Sequence, residues 1–189
     1  MISKKWHKNI SEAIQKLQGF VDRYWYPPFI GFLAALDNLI IIIPNDGILI
    51  SSSMLIPKRW FIFALAVAIG STLGAVILAA LVELQGLPWI LETYPGLSEN
   101  KVWTLTVHFF ENYGNLVVFL VALTPIMQHP AIILASLADT PLNELAAIVF
   151  TGRLIKFLIM AYIGSHTPRL LKKMWGLKEE LQEVGIKVK

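Results

Sequence analysis

The sequence contains no cysteine and little charge. Without cysteine there is no disulfide, no zinc–thiolate site and no thiol nucleophile, and the redox state of the compartment leaves no trace. Charged residues occupy 15% of the 189 positions, whereas a soluble domain carries about a quarter. Net charge is only +3, and the basic residues gather toward the two ends. That pattern suits contact with anionic lipid headgroups and argues against a nucleic-acid partner. His7, His108 and His166 are scattered without ligand spacing, so no metal is expected, and nothing implies a cofactor. Asp37 with Ser51–Ser53 and a histidine could be imagined as a hydrolase. No Gly-x-Ser-x-Gly or paired-histidine motif supports it, and an enzyme is not expected.

What is abundant is apolar. Hydrophobic residues make up 56% of the chain, and mean hydropathy is +0.61. The expectation is an integral membrane protein of one all-α domain. No cleavable signal peptide is expected, because the first apolar run begins near Phe29 after too long a polar lead.

Residues 1–27 read as an amphipathic interfacial helix, with Ile10, Ile14, Leu17 and Val21 at helical spacing and lysines around them. Residues 28–57 are apolar but interrupted at Pro44-Asn45-Asp46-Gly47, and each half is shorter than the roughly 20 residues of a full span. Residues 60–83 form a clean transmembrane helix. Residues 84–112 are mixed; Trp89, Tyr94, Trp103, Phe109 and Phe110 suit an interfacial stretch. Residues 115–138 are a second interrupted segment, broken at "TPIMQHP". Residues 142–165 are a second long apolar run, with Arg153 and Lys156 in its middle. A basic tail follows over 166–189.

The order is broken segment, long helix, interface, broken segment, long helix. An offset of 82 lays "AIGSTLGAVILA" on "FTGRLIKFLIMA", with Gly70 on Gly152 and Ala79 on Ala161. Two proline-broken segments in corresponding halves point to a transporter site, since irregular backbone at membrane depth is tolerated where it is buried in protein or lines a cavity. Leu36–Trp60 then reads as a re-entrant hairpin with Pro44 to Gly47 at its tip. The membrane domain is expected over 28–165, as an inverted repeat of halves 28–83 and 113–165. Residues 1–27 hold five Lys/Arg, 84–142 hold one, and the tail from Arg169 holds six. With Lys58 and Arg59, that count places both termini in the cytoplasm.

Chemistry is expected from charges at membrane depth. Asp37 and Asp46 are candidates for proton coupling, because a carboxylate in a wet intramembrane cavity can take up and release protons near neutral pH. Asp46 could instead sit in headgroup water and cap a half-helix. Arg153 and Lys156, three apart, share one helix face. A mid-helix Arg or Lys costs about 2.5–3.5 kcal/mol on the insertion scale. They would bind a substrate phosphate, or pair with Asp37 and Asp46 across the halves, unless they snorkel to the interface. Gln128 and His129, between Pro125 and Pro130, either join the substrate site or simply satisfy a polar turn. Gly70 and Gly74 suit close helix packing.

Together these residues resemble the DedA family, also called the VTT or SNARE-associated Golgi protein domain. The resemblance covers roughly 28–165. It is carried by Asp37-Asn38, Pro44-Asn45-Asp46, Gly70 and Gly74, Tyr113-Gly114-Asn115, and Gly152-Arg153-x-x-Lys156. The family's second-hairpin motif Arg-Phe-x-Pro-x-x-Arg meets Ala122-Leu123-Thr124-Pro125-Ile126-Met127-Gln128, with neither arginine. Pro125-x-x-x-His129-Pro130 is closer to the divergent YqaA-like branch. The resemblance implies lipid translocation: a flippase or scramblase of polyprenyl phosphate or phospholipid in the bacterial inner membrane, driven by protons in several members. The other reading is a non-transporting membrane scaffold in which the charges form a structural ion pair. A homo-oligomer is left open.

Overall fold

The structure is a computed structural model that describes residues 15–40, 44–93, 101–124 and 128–175. The described residues are helices and short connections. Residues 15–21 are helical; residues 1–14 of the expected N-terminal helix, Tyr94, Pro125 and the tail from 176 lie outside the described residues. The helices that follow are α1 (Tyr26–Ile40), α2 (Asn45–Leu55), α3 (Trp60–Thr93), α4 (Lys101–Tyr113), α5 (Asn115–Leu123), α6 (His129–Leu137) and α7 (Leu142–Trp175), with a 3-10 turn at Pro57–Arg59 between α2 and α3.

Prolines and glycines set the boundaries. Pro27 and Pro28 lie in the first turn of α1 and Pro130 in that of α6, where the missing N–H has no helical partner to lose. Gly114 (φ 54°) separates α4 from α5, and Gly86 (φ 72°) breaks α3, since a left-handed backbone strains any residue with a Cβ. Asp139 (φ 55°) ends α6, with Thr140 N–H donating to the Ala135 carbonyl at 3.0 Å to close the last turn.

Two stretches are long and apolar enough to cross a membrane, Pro57–Gly86 and Leu142–Thr167. The first exceeds the expected 60–83, and α7 continues beyond the expected end at residue 165. Each broken segment folds back on itself. The Tyr26 hydroxyl at the start of α1 lies 2.7 Å from Ser52 Oγ near the end of α2. Ser52 donates its own hydrogen to the Ile48 carbonyl at 2.6 Å, so Tyr26 is the donor. Thr140, just past α6, donates to Asn115 Oδ1 at the start of α5 at 3.2 Å.

In the expected tip at Pro44 to Gly47, the residues after Pro44 are helical instead. Pro44 is the N-cap of α2, and Asn45, Asp46 and Gly47 form its first turn; residues 41–43 lie outside the described residues. Asn and Asp favour helix starts as readily as turns, so composition alone does not separate the two.

The arms are exchanged between the long helices. α1 packs on α3 and α5 on α7, each on the long helix that follows it, whereas α2 packs on α7 and α6 on α3. Glycine permits the first contact: a Cβ on Gly70 would overlap the Gly31 carbonyl, and one on Gly74 the Ala35 carbonyl. At Gly152 a Cβ would come within 2.9 Å of Ala122 Cβ and 3.0 Å of the Phe119 carbonyl. Ser136 Oγ of α6 donates to the Ala79 carbonyl of α3 at 2.8 Å.

Two apolar cores result. One joins α1, α2, the start of α3 and the later part of α7 around Ile30, Leu49, Phe63, Val67 and Phe157. The other joins the far part of α3, α5, α6 and the start of α7 around Leu78, Val82, Val118, Ile132 and Leu145. Beyond the first core, Arg59 pairs with Asp22 at 3.5 Å and the Trp60 ring meets Tyr162 at 5.7 Å. Beyond the second, Asn115 Nδ2 donates to Glu144 Oε1 at 3.1 Å.

Candidate functional site

Between the two cores lies a polar layer. Ser71 stands near the middle of Pro57–Gly86 and Arg153 near the middle of Leu142–Thr167. Arg153 is only 9% exposed. Its Nε donates to Gln128 Oε1 at 2.7 Å, and its Nη1 donates to Ser71 Oγ. Gln128 Nε2 donates to Asn38 Oδ1. Asn38 Nδ2 donates to Ser71 Oγ at 3.1 Å, to the Ser71 carbonyl at 3.1 Å and to the Ala34 carbonyl at 2.9 Å.

These four side chains close a ring, and each comes from a different element. Asn38 belongs to the last turn of α1, Ser71 to α3, Gln128 to the N-cap of α6 and Arg153 to α7. The ring joins both long helices to both broken segments. All four residues are buried, so each polar atom in the ring replaces a water contact that the apolar surroundings deny.

One turn along α7 from Arg153, Lys156 Nζ pairs with Asp46 Oδ2 at 2.9 Å. The side chains are 12% and 34% exposed, so this pair is more open than the ring. Both cations also reach the Phe157 ring, at 5.7 Å for Arg153 and 5.2 Å for Lys156, within the range of a cation–π contact. The Arg153 guanidinium lies in the field of Asp46 and Asp37. His129 is buried against the Asp37–Asn38 backbone. The expected residues Asp37, Asp46, Gln128, His129, Arg153 and Lys156 therefore gather at one level. Pro44 and Pro130 begin the two short second arms at that level. Gly47 does not join them; it is exposed, and a Cβ there would meet nothing within 4 Å.

Sequence reasoning missed Asn38 and Ser71 as members of the site. Ser71 had a signal: the offset of 82 that sets Gly70 on Gly152 also sets Ser71 on Arg153. Asn38 had only its place beside Asp37. It also missed Asn45 and Ser53. Among the described residues, Asn45 Nδ2 and Ser53 Oγ are buried with no hydrogen-bond partner.

A family model described as "VTT domain" matches residues 43–166 of this chain. That match takes in α2 through most of α7, and so Gln128, Arg153, Lys156 and Asp46. An uncharacterized protein of Haemophilus influenzae is 27% identical over 137 residues, covering 72% of this chain and 71% of its own length. No solved structure matches.

Proposed function

Because the chain belongs to the VTT domain family, whose members are membrane-associated and often linked to lipid transport, we propose that it moves an anionic lipid, a polyprenyl phosphate or a phospholipid, across the bacterial inner membrane as a flippase or scramblase. The observation that carries this is a pair of cations, Arg153 and Lys156, midway along a candidate span, facing the inner ends of both broken segments. Charge in such a place is expensive and is typical of a substrate pathway. Arg153 and Lys156 attract the lipid phosphate, with Gln128 and His129 beside them. Asp46 neutralises Lys156 when the site is empty, and Asp37 and Asp46 carry the coupling protons.

On this reading residues 28–165 are an inverted repeat, and α1–α2 and α5–α6 are re-entrant hairpins entering from opposite faces. The exchanged packing of the arms supports it, as does the meeting of Ser71 with Arg153. The basic end at Lys16, Arg23, Lys58 and Arg59 lies in the cytoplasm, and the end bearing Glu83, Glu111, Asp139 and Glu144 lies outside.

The second reading, a scaffold without transport, draws on the burial of Arg153 behind Gln128 and Ser71. Reconstitution separates the two. Full-length protein in liposomes should accelerate the appearance of fluorescent anionic lipid in the opposite leaflet, more than it does a neutral diacylglycerol. Rates equal to protein-free liposomes for every lipid would leave the scaffold.

A further inference from the structure

The two short second arms begin at the same level of the molecule. α2, eleven residues long, starts at Asn45, and α6, nine residues long, starts at His129. Asp46 in the first turn of α2 contacts Lys156, and Gln128 at the N-cap of α6 contacts Arg153. Those cations are one turn apart on α7, about 4.5 Å along its axis. Two helix N-termini therefore converge on one patch of a third helix.

Neither N-terminus has a side-chain cap. Pro44 has no capping group, and Gln128 makes no cap hydrogen bond, because its amide is committed to Arg153 and Asn38. The first N–H groups of a helix have no intrahelical acceptor, and the helix dipole makes that end attractive to anions. A second, independent feature lies at the same spot. The Asn45 side chain is 7% exposed, and its Nδ2 has no partner among the described residues. Side chains lean toward the N-terminus of their helix, so an amide on the first residue of α2 is held at the N-terminal end of that helix. A buried N–H donor without an acceptor is rare.

We propose that the N-terminal ends of α2 and α6, with Asn45 Nδ2 as the buried donor, form the seat of the substrate's phosphate. This rests on the transport reading and names the atoms that recognise the headgroup. Arg153 and Lys156 supply the charge; the helix ends and Asn45 supply directed hydrogen bonds. The Asp46 carboxylate holds Lys156 at 2.9 Å. An arriving phosphate takes over Lys156 and releases Asp46, so headgroup binding and the state of that carboxylate are linked.

The test uses the full chain in detergent, titrated with a short-chain phosphatidylglycerol, with inorganic phosphate and with a short-chain diacylglycerol, followed by thermal shift. Wild type should be stabilised by the phosphatidylglycerol and not by the diacylglycerol. Asn45→Leu should weaken that binding at least tenfold while melting, without ligand, at the wild-type temperature or above, because the amide it removes has no partner to lose. Asn45→Asp keeps the shape, removes the donor and adds a repelling charge; it should lose more affinity still. Wild-type affinity in both variants overturns the seat and leaves the transport reading standing. A lower unliganded melting temperature in both, with affinity retained, assigns Asn45 a structural role and also overturns it. Stabilisation by inorganic phosphate equal to that by the lipid supports the seat and assigns it to free phosphate. No stabilisation of wild type by either phosphate compound removes the seat and the anionic-substrate reading together.

Discussion

Ser71 and Arg153 are 82 residues apart and hydrogen-bond to each other. The same offset lays the two long apolar runs on each other, so on the proposed inverted-repeat reading the contact joins one position with its counterpart. Two counterparts can touch only where an axis relating the halves passes between them. An axis there would run through the polar layer, between the two apolar cores, and would bring the inner end of each broken segment to the same place. A cation on one side and a hydroxyl on the other make the centre chemically asymmetric.

Asn38 is the member of the ring that serves most partners. Asn38→Leu fills the volume but strands Gln128 Nε2 and removes the donor to Ser71. Leaving buried polar groups unmet costs about 1–3 kcal/mol. The variant should melt several degrees lower in detergent. Melting at the wild-type temperature would mean that the ring adds nothing to stability.

The Lys156–Asp46 pair is half-open, so its strength should fall between exposed and buried ion pairs, about 1–3 kcal/mol. Lys156→Met and Asp46→Asn should each reduce membrane abundance and transport. Exchanging the two, Lys156→Asp with Asp46→Lys, should recover abundance but not transport, since it moves the cation from α7 to α2. Abundance no better than in the worse single variant would refute the pairing.

Arg153 reaches Gln128 with Nε and Ser71 with Nη1, a fork that one ammonium cannot reproduce. Arg153→Gln and Asp37→Asn are expected to abolish lipid movement, and Arg153→Lys to leave a small fraction of it. The comparison is valid only for variants that stay folded by thermal shift. Unaltered rates in Arg153→Gln would remove Arg153 from the substrate path.

Two glycines should behave oppositely. Gly70→Ala drives a methyl group into the Gly31 carbonyl, so α1 must separate from α3, and the protein should be lost from the membrane. Gly47→Ala meets nothing within 4 Å and gains helix propensity, about 0.8–1.0 kcal/mol at an interior position. It should melt at or above wild type. Equal tolerance at both positions would contradict the close crossing of α1 and α3.

Both chain ends should lie on the cytoplasmic side. Phosphatase and fluorescent-protein reporters fused after Lys189, and before Met1, check this directly. Phosphatase activity at either end would overturn the orientation and reverse the assigned faces of the two hairpins.

The sequence by itself determined the helical class, the two candidate spans and the two proline-broken segments, and it singled out Asp46, Gln128, Arg153 and Lys156, which the structure brings together. Hydropathy over twenty residues, proline's missing N–H and the cost of charge in lipid are local properties, and they are legible in a linear string. It also placed Gly70 and Gly74 where backbones could approach. Only the tertiary structure decided who meets whom. Arg153 could have turned to either aspartate; it closes on neutral Gln128 and Ser71, while Lys156 takes Asp46. That outcome depends on the exchanged packing of α2 on α7 and α6 on α3, which joins residues up to 110 positions apart in the Lys156–Asp46 pair. The helix start at Asn45 was decided there too. Asn45-Asp46-Gly47 suits a tip or a helix start about equally by local preference, and it is the burial of Leu49, Ser52 and Ser53 along α2 that pulls those residues into the helix.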